Sequence, residues 1–360
     1  MSEILRKLRE KLIKEDNEAI LVSSEENQRY VSGFHYSDGY ILVCKETAYL
    51  LADFRYIEAA KKGASADDFE IIMPEGSMNS EIGLLCATNG IKKIYVEDET
   101  LSCATLERLK NVAKEVCFVG GASGAILAQR AVKTEAELDL IARAQVITDA
   151  AFSHILNILS PKMTEIDVAL ELEYFMRRNG AERAAFNTIA VSGSASSMPH
   201  GVPRNVKLEK GFLTMDFGAC IDGYASDMTR TVVIGKADDD MKKLYNTVLS
   251  AQRAALEVIC EGVDCKSVDK VARDIIYDAG YKGCFGHSLG HGVGLYVHEL
   301  PRFAPSTKEG TLLERGNVVT VEPGIYIAGR YGCRIEDMIA IDLDGKMINF
   351  TKSEKKLIEI

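Results

Sequence analysis

The sequence predicts an α/β domain followed by an α+β domain built from two similar halves. Three observations carry that prediction. The chain has 360 residues, and single cores stop growing at roughly 250–300, so two domains are expected. Residues 1–128 alternate short apolar runs with helical stretches, as an α/β layer requires. From Thr134 the plan changes to helix, helix, strands, and then repeats.

A first helix bearing Ile4, Leu5, Leu8 and Leu12 precedes the apolar run Ala19–Val22. Further strands are expected at Tyr40–Cys44, Ala48–Ala52, Glu70–Met73, Lys93–Val96 and Val116–Val119. Gly120-Gly-Ala-Ser-Gly124 reads as a linker, since no Gly-Lys-Ser/Thr follows to make it a phosphate loop. That sets the seam, giving domains at 1–128 and 129–360. Thr134 with Glu137 forms a capping box that opens a long helix to about Ser160. A second helix runs from about Thr164 to Asn179 and stops at Gly180; a strand hairpin spans 212–234. The repeat supplies helices at Asp239–Glu261 and Ser267–Ala279, the latter ending at Gly280. Strands are then expected at Val293–Val297, Val318–Val321 and Arg334–Ile341, with the two halves sharing one sheet.

The net charge of −10 argues against a nucleic-acid partner, which would require a basic surface. Met1 to Asn17 alternates charged and apolar residues and lacks the apolar core of a secretion signal. No run approaches the roughly 18 apolar residues of a membrane span. The nine cysteines are odd in number, scattered, and free of any Cys-x-x-Cys pair. Reduced core thiols in a cytoplasmic protein are therefore expected, not disulfides or a zinc knuckle.

The chemistry concentrates in the last 150 or so residues. Asp216 and Asp227 flank Asp222-Gly223, a dipeptide that favours tight hairpin turns. They are equidistant from the midpoint between Ile221 and Asp222, a register that makes them face each other, with Cβ atoms about 4.5–5.5 Å apart. Two carboxylates so placed repel unless a proton or a cation intervenes. His287 and His291 stand four apart, but Gly290, Gly292 and Gly294 disfavour a helix and point to a loop feeding a strand. Glu322 falls where an apolar strand meets a turn, and Arg334 and Glu336 share one face of a strand. Four carboxylates and a histidine at strand ends are balanced by two divalent ions. Such a donor set suits Mn²⁺, Fe²⁺, Co²⁺ or Zn²⁺ and implies metal-assisted hydrolysis.

The motifs Met-Asp-Phe-Gly-Ala, Ser-Asp-Met-Thr-Arg, Gly-His-Gly-Val-Gly, Val-Glu-Pro-Gly and Arg-Ile-Glu-Asp occur in that order. With them the chain resembles the pita-bread metallopeptidases of the aminopeptidase P and Xaa-Pro dipeptidase (prolidase) family. Asn27–Phe34 and Asp53–Tyr56 are similar to that family's N-terminal domain. The resemblance implies a creatinase-type, ribonuclease-H-like α/β domain followed by a pita-bread domain with pseudo-twofold halves. It implies that Asp216 holds one metal, His291 and Glu322 the other, and that Asp227 and Glu336 bridge both, manganese being the first choice. Glu322 is further implied as general acid/base. His200 and His298 match histidines that contact substrate and stabilise the tetrahedral intermediate, and His287 matches another pocket histidine. Arg334 matches an arginine that supports Glu336 or the substrate, and Tyr326 a tyrosine near the metals. A homodimer is implied too.

The expected substrates are short proline-containing peptides. The X–Pro amide has no N–H and carries a rigid ring, so it needs a dedicated pocket. A dipeptidase must also hold the C-terminal carboxylate, most simply with the bidentate fork of an arginine, and Arg302 stands in place for that. The reading carried forward is an Xaa-Pro dipeptidase. An aminopeptidase P acting on longer Xaa-Pro-Yaa peptides is the alternative, and a non-catalytic peptide-binding module the third. The N-terminal 128 residues argue against a methionine aminopeptidase, and the complete ligand set argues against a creatinase.

Overall fold

The protein is described as a computed structural model covering residues 2–360. Contacts divide the chain into two units, ending and beginning at Arg130 and Ala131.

The apolar runs of the first unit become Glu18–Val22 (β1), Tyr40–Val43 (β2), Ala48–Leu51 (β3), Glu70–Ile72 (β4), Lys93–Val96 (β5) and Cys117–Val119 (β6). They form one sheet in the order β4-β3-β2-β1-β5-β6. The β1–β2 and β2–β3 pairs are antiparallel and the other three parallel. Every residue of β1 and β3 is buried, which is why those strands read as unbroken apolar runs. The helices are Glu3–Leu12 (α1), Glu25–Ser32 (α2), Ile57–Gly63 (α3), Met78–Thr88 (α4), Cys103–Val112 (α5) and Ala122–Ala131 (α6). The expected linker is mostly helix: only Gly120 and Gly121 precede α6, and residue 128 lies inside it. Its small residues pack rather than flex, with Ala122, Ser123 and Ala125 buried.

The second unit repeats a plan. Glu135–Ile158 (α7) opens on the capping box of Thr134 and Glu137. Glu165–Arg178 (α8) follows, then Arg183–Ala184 (β7), Ile189–Ser192 (β8), Gly211–Phe217 (β9), Ala219–Ile221 (β10), Tyr224–Ala225 (β11) and Met228–Ile234 (β12). The other half has Asp239–Val258 (α9), Cys265–Ile276 (α10), Gly290–Gly292 (β13), Glu299–Phe303 (β14) and Val318–Val321 (β15). Gly324–Ile327 (β16), Tyr331–Arg334 (β17), Asp337–Ile341 (β18) and Met347–Asn349 (β19) complete it. Helices α8 and α10 start at Glu165 and Cys265 behind side-chain caps from Thr164 and Asp264. Leu172 and Met176 of α8 share one core with Leu213 and Val232, as Val268 and Ala272 of α10 share another with Val319 and Ile339.

The halves do not share the one sheet expected from the sequence: β11-β10-β7 and β16-β17 pair separately, and the two central sheets are β12-β9-β8 and β14-β13-β15-β18-β19. They are joined where Glu336 N donates to Thr229 O at 3.1 Å and Thr231 Oγ1 to Arg334 O at 2.9 Å. Those bonds divert the chain between β17 and β18, so Arg334–Ile341 is two strands and not one. Val293–Val297 is not a strand either: Gly294 N bonds Tyr296 O and Tyr296 N bonds Glu299 Oε1, which turns the chain before β14.

The hairpin register is shifted as well. Asp222 and Gly223 both have positive φ, 51° and 83°, the signature of a two-residue type I′ turn. Ile221 therefore faces Tyr224, and down the ladder Asp216 faces Thr229, not Asp227. No disulfide joins the cysteines among the described residues, and five are buried; Cys103, Cys117 and Cys260 are exposed, against the expectation of core thiols. No helix of the described residues is long and apolar enough to cross a membrane.

Candidate active site

The repeat brings four carboxylates together. Asp216 is the penultimate residue of β9, and Glu322 follows the last residue of β15. Asp227 immediately precedes β12, and Glu336 immediately precedes β18. Each half thus contributes one acid at the end of its central strand and one just before the returning strand. All four line a cleft of 520 Å³ within the second unit, as do His200, His287, His291, His298, Arg302 and Arg334. Tyr326 stands behind that wall, bonded to Arg334 and His287.

His291 enters from β13, whose flanking glycines are required by close packing. A Cβ on Gly290 would meet Thr320 O at 1.9 Å, and one on Gly292 would meet Leu300 O at 2.1 Å. His291 Nδ1 faces Gly292 O at 3.0 Å, a carbonyl that can only accept, so Nδ1 carries the proton. Nε2 then faces Glu322 Oε1, 3.3 Å away, and Asp227 Oδ2, 3.6 Å away: carrying a proton it pairs with them, and without one it offers its lone pair to a cation. One ligand atom each from Asp227, His291 and Glu336 lie within 4.8 Å of one another, all three residues buried.

The electrostatics demand positive charge. Burial, then repulsion from Glu336, Asp216 and Glu322, push the Asp227 carboxyl far above the ordinary range. Burial and the same neighbours do likewise to Glu336, and Asp216 is raised more moderately because Arg334 opposes its burial. Glu322 goes the other way: burial raises it, but His291, His287 and Arg334 outweigh that and bring it to about 2. Asp216 Oδ1 is buried with no hydrogen-bond partner in the structure. An orphaned carboxylate oxygen beside three repelling acids and an imidazole able to offer a lone pair fits divalent-cation binding.

Arg334 organises one wall. Its Nη2 donates to Asp216 Oδ2 at 2.6 Å, Nη1 to Tyr326 Oη at 2.6 Å, and Nε to Thr229 Oγ1 at 2.9 Å. Thr229 in turn donates to Glu336 Oε2 at 2.7 Å. The guanidinium thus touches Asp216 directly and reaches Glu336 only through Thr229, so the expected support of Glu336 is indirect. Thr229 was not singled out from the sequence, though it sits two residues after Asp227, on the face a period-two strand would share. Phe186 and Asn187 also line the cleft without any motif to mark them.

His200 and His298 stand exposed at the cleft mouth. Desolvation on the side of His298 that faces the His291 ring, 4.3 Å away, and repulsion from His291 lower its pKa to about 4, so it is neutral at pH 7. Arg302 is exposed on β14, directly across the ladder from His291.

Comparison with known proteins is consistent throughout. Residues 139–342 match the model of metallopeptidase family M24, and residues 4–132 that of the Creatinase/Prolidase N-terminal domain. An Xaa-Pro dipeptidase of Pyrococcus horikoshii is 38% identical over 362 residues, covering 99% of each chain. The structure of an Xaa-Pro dipeptidase from Bacillus anthracis is similar with a TM-score of 0.94, at 39% identity over 99% of each chain. That of an X-Pro aminopeptidase from Thermotoga maritima gives 0.87 at 35% identity, over 95% of this chain and 97% of that one. The chain belongs to metallopeptidase family M24, with a creatinase/prolidase N-terminal domain ahead of a pita-bread catalytic domain.

Proposed function

We propose that this metallopeptidase hydrolyses the bond before proline in Xaa-Pro dipeptides. The observation that carries the proposal is Arg302. It places a guanidinium on the rim of the cleft that holds the five candidate ligands, where a free C-terminal carboxylate can pair with it.

In this reading Asp216, Asp227, His291, Glu322 and Glu336 would together hold two divalent ions. Manganese is the proposed metal, with cobalt, zinc or iron also suited to the donor set. When bound, the ions supply Lewis acidity toward the scissile carbonyl and an acidified water. The protein's own groups do the rest. Phe186, Ile189 and Val297 give the cleft an apolar wall for the pyrrolidine ring. His200 and His298 donate to the carbonyl oxygen as it gains charge, a role worth about 2.7–4 kcal/mol for a well-placed donor. Glu322 takes a proton from the attacking water as the C–O bond forms, then delivers it to the proline nitrogen as the C–N bond breaks. Delivery is obligatory, because a proline amide nitrogen has no hydrogen and leaves as a secondary amine only after protonation. Arg334 and Tyr326 hold Asp216 and the pocket in place, with His287 beside them.

All of this chemistry is assigned to residues 129–360. A cytoplasmic homodimer is part of the proposal, the lack of disulfides among the described residues supporting a reducing compartment. The second reading, an aminopeptidase P acting on Xaa-Pro-Yaa, is favoured by the openness of Arg302 to solvent and by the similarity to the Thermotoga aminopeptidase. The deciding assay compares manganese-loaded enzyme on Xaa-Pro and Xaa-Pro-Yaa. Faster dipeptide cleavage is expected; faster tripeptide cleavage overturns the dipeptidase reading.

A further inference from the structure

We propose that Asp269 and Arg273, on helix α10, are positioning residues that set the orientation of the His287 imidazole in the cleft. The proposal rests on the peptidase reading above for its functional meaning, but not for its geometry.

Between Cys284 and Leu289 the chain has neither helix nor strand, so no backbone ladder holds His287. Its main chain is held instead from below. Arg273 Nη1 donates to Phe285 O and Nη2 to His287 O, both at 2.9 Å. Asp269, one helical turn earlier on the same face, clamps that guanidinium at 2.7 and 2.8 Å through its Nε and Nη2. The same carboxylate shares the Leu289 N–H, at 3.0 Å, with Phe303 O at 2.8 Å. One ion pair therefore grips the loop on both sides of His287 and at its own carbonyl. Asp269 is 1% exposed, so its carboxylate is shielded from competing water, while the Arg273 side chain is 14% exposed. The guanidinium carbon also lies 4.2 Å from the Phe285 ring centroid, and Phe285 meets the His287 ring edge-on at 5.0 Å. A lysine could not replace this fork, since one ammonium cannot serve two carbonyls and a carboxylate in one plane.

The orientation so fixed has a chemical consequence. His287 Nδ1 faces Ser288 O at 2.8 Å and so bears the proton. Its Nε2 lies 3.1 Å from Tyr326 Oη, which receives a hydrogen from Arg334 Nη1 at 2.6 Å. Arginine never acts as acceptor, so Tyr326 donates its own hydrogen to His287 Nε2. The clamp on α10 holds the loop in which Ser288 O and Tyr326 fix one tautomer of His287, at the end of a chain that runs through Tyr326 and Arg334 to Asp216.

The test is a double-mutant cycle on the metal-loaded enzyme, with Arg273→Gln, Asp269→Asn and His287→Ala. Each of the first two is expected to lower kcat on Xaa-Pro about 10–100-fold, as loss of an orienting partner does. In the His287→Ala background the same changes are expected to alter kcat by no more than about twofold. Losses that multiply across the cycle overturn the proposal, because packing alone would give that result. The second readout is a long-range ¹H–¹⁵N correlation spectrum of histidine-labelled protein. The native His287 is expected to show protonated Nδ1, and Asp269→Asn, which preserves shape, is expected to give a mixture of tautomers. An unchanged His287 signal in a folded Asp269→Asn variant overturns the clamp. If the native chain leaves Xaa-Pro intact, the peptidase reading fails while the spectrum still decides the clamp.

Discussion

Arg334 and Asp216 form a near-buried ion pair at 2.6 Å, with their side chains 4% and 14% exposed. The pair leaves Asp216 Oδ1 without a protein partner while Oδ2 is held. An arginine that occupies one carboxylate oxygen aims the other. Arg334→Lys keeps the charge but cannot span Asp216, Tyr326 and Thr229 together. The expected outcome is manganese affinity about 10–100-fold weaker by calorimetric titration, since outer partners of ligands contribute on that scale. Unchanged affinity would show that Arg334 does not orient Asp216.

Asp227→Asn should separate metal binding from folding. The Asp227 carboxyl is pushed far up by burial and by its acidic neighbours, so near pH 7 its ionised form opposes the metal-free fold. Removing the charge is expected to raise the melting temperature of chelator-treated protein. Added manganese is expected to raise the native melting temperature and leave the variant's nearly unmoved, because stabilisation follows occupancy. Xaa-Pro hydrolysis should fall at least about 100-fold, as for loss of a ligand-supporting contact or worse. If variant and native protein bind manganese and cleave alike, the metal mechanism is wrong.

Much of this site was legible before the structure. Caps and apolar runs marked the helices and inner strands, and the acids and histidines lay in short motifs at strand ends. What escaped had two physical causes. The positive φ at Asp222 and Gly223 makes them the two central residues of the hairpin turn, and this moves Asp216 opposite Thr229. Asp-Gly favours those two central positions, so the true register follows once the turn is centred between Asp222 and Gly223, one residue beyond the midpoint between Ile221 and Asp222. The second cause is that bonds to main-chain carbonyls leave no pattern. Arg273 binds the carbonyls of Phe285 and His287, and carbonyls look the same on every residue. Thr229 is the intermediate case: period two from Asp227 would have found it, had its hydroxyl been considered beside the acids.

Arg302→Ala tests the dipeptide preference. The side chain is exposed, so its removal leaves no buried partner and should not change stability measurably. KM for Xaa-Pro is expected to rise about tenfold or more, the scale of one charge-assisted pair, with kcat little changed. KM for Xaa-Pro-Yaa should hardly move, because its carboxylate lies elsewhere. Equal losses on both substrates would remove Arg302 from the carboxylate role.

Acid stability should depend on Glu165, which brackets the loop carrying His200. This fully buried residue accepts Ser192 N at 2.7 Å and Ser192 Oγ at 2.8 Å. It also accepts Arg204 N, Nε and Nη2 at 2.6–2.9 Å. Burial raises its carboxyl, but Arg204 and Ser192 together outweigh that, and the net shift is below the ordinary 4.5. A carboxyl lowered in the fold stabilises it fully above the unfolded value and loses that contribution as pH falls through the folded value. Glu165→Gln is therefore expected to be less stable than native protein at pH 7, by about 1–3 kcal/mol for hydrogen bonds to a charge. The two urea midpoints should converge between pH 4.5 and the acid limit of folding. The metal-site acids titrate in both proteins, so the difference isolates Glu165. A gap that stays constant from pH 7 down into that range would show that the Glu165–Arg204 charge does not hold the His200 loop.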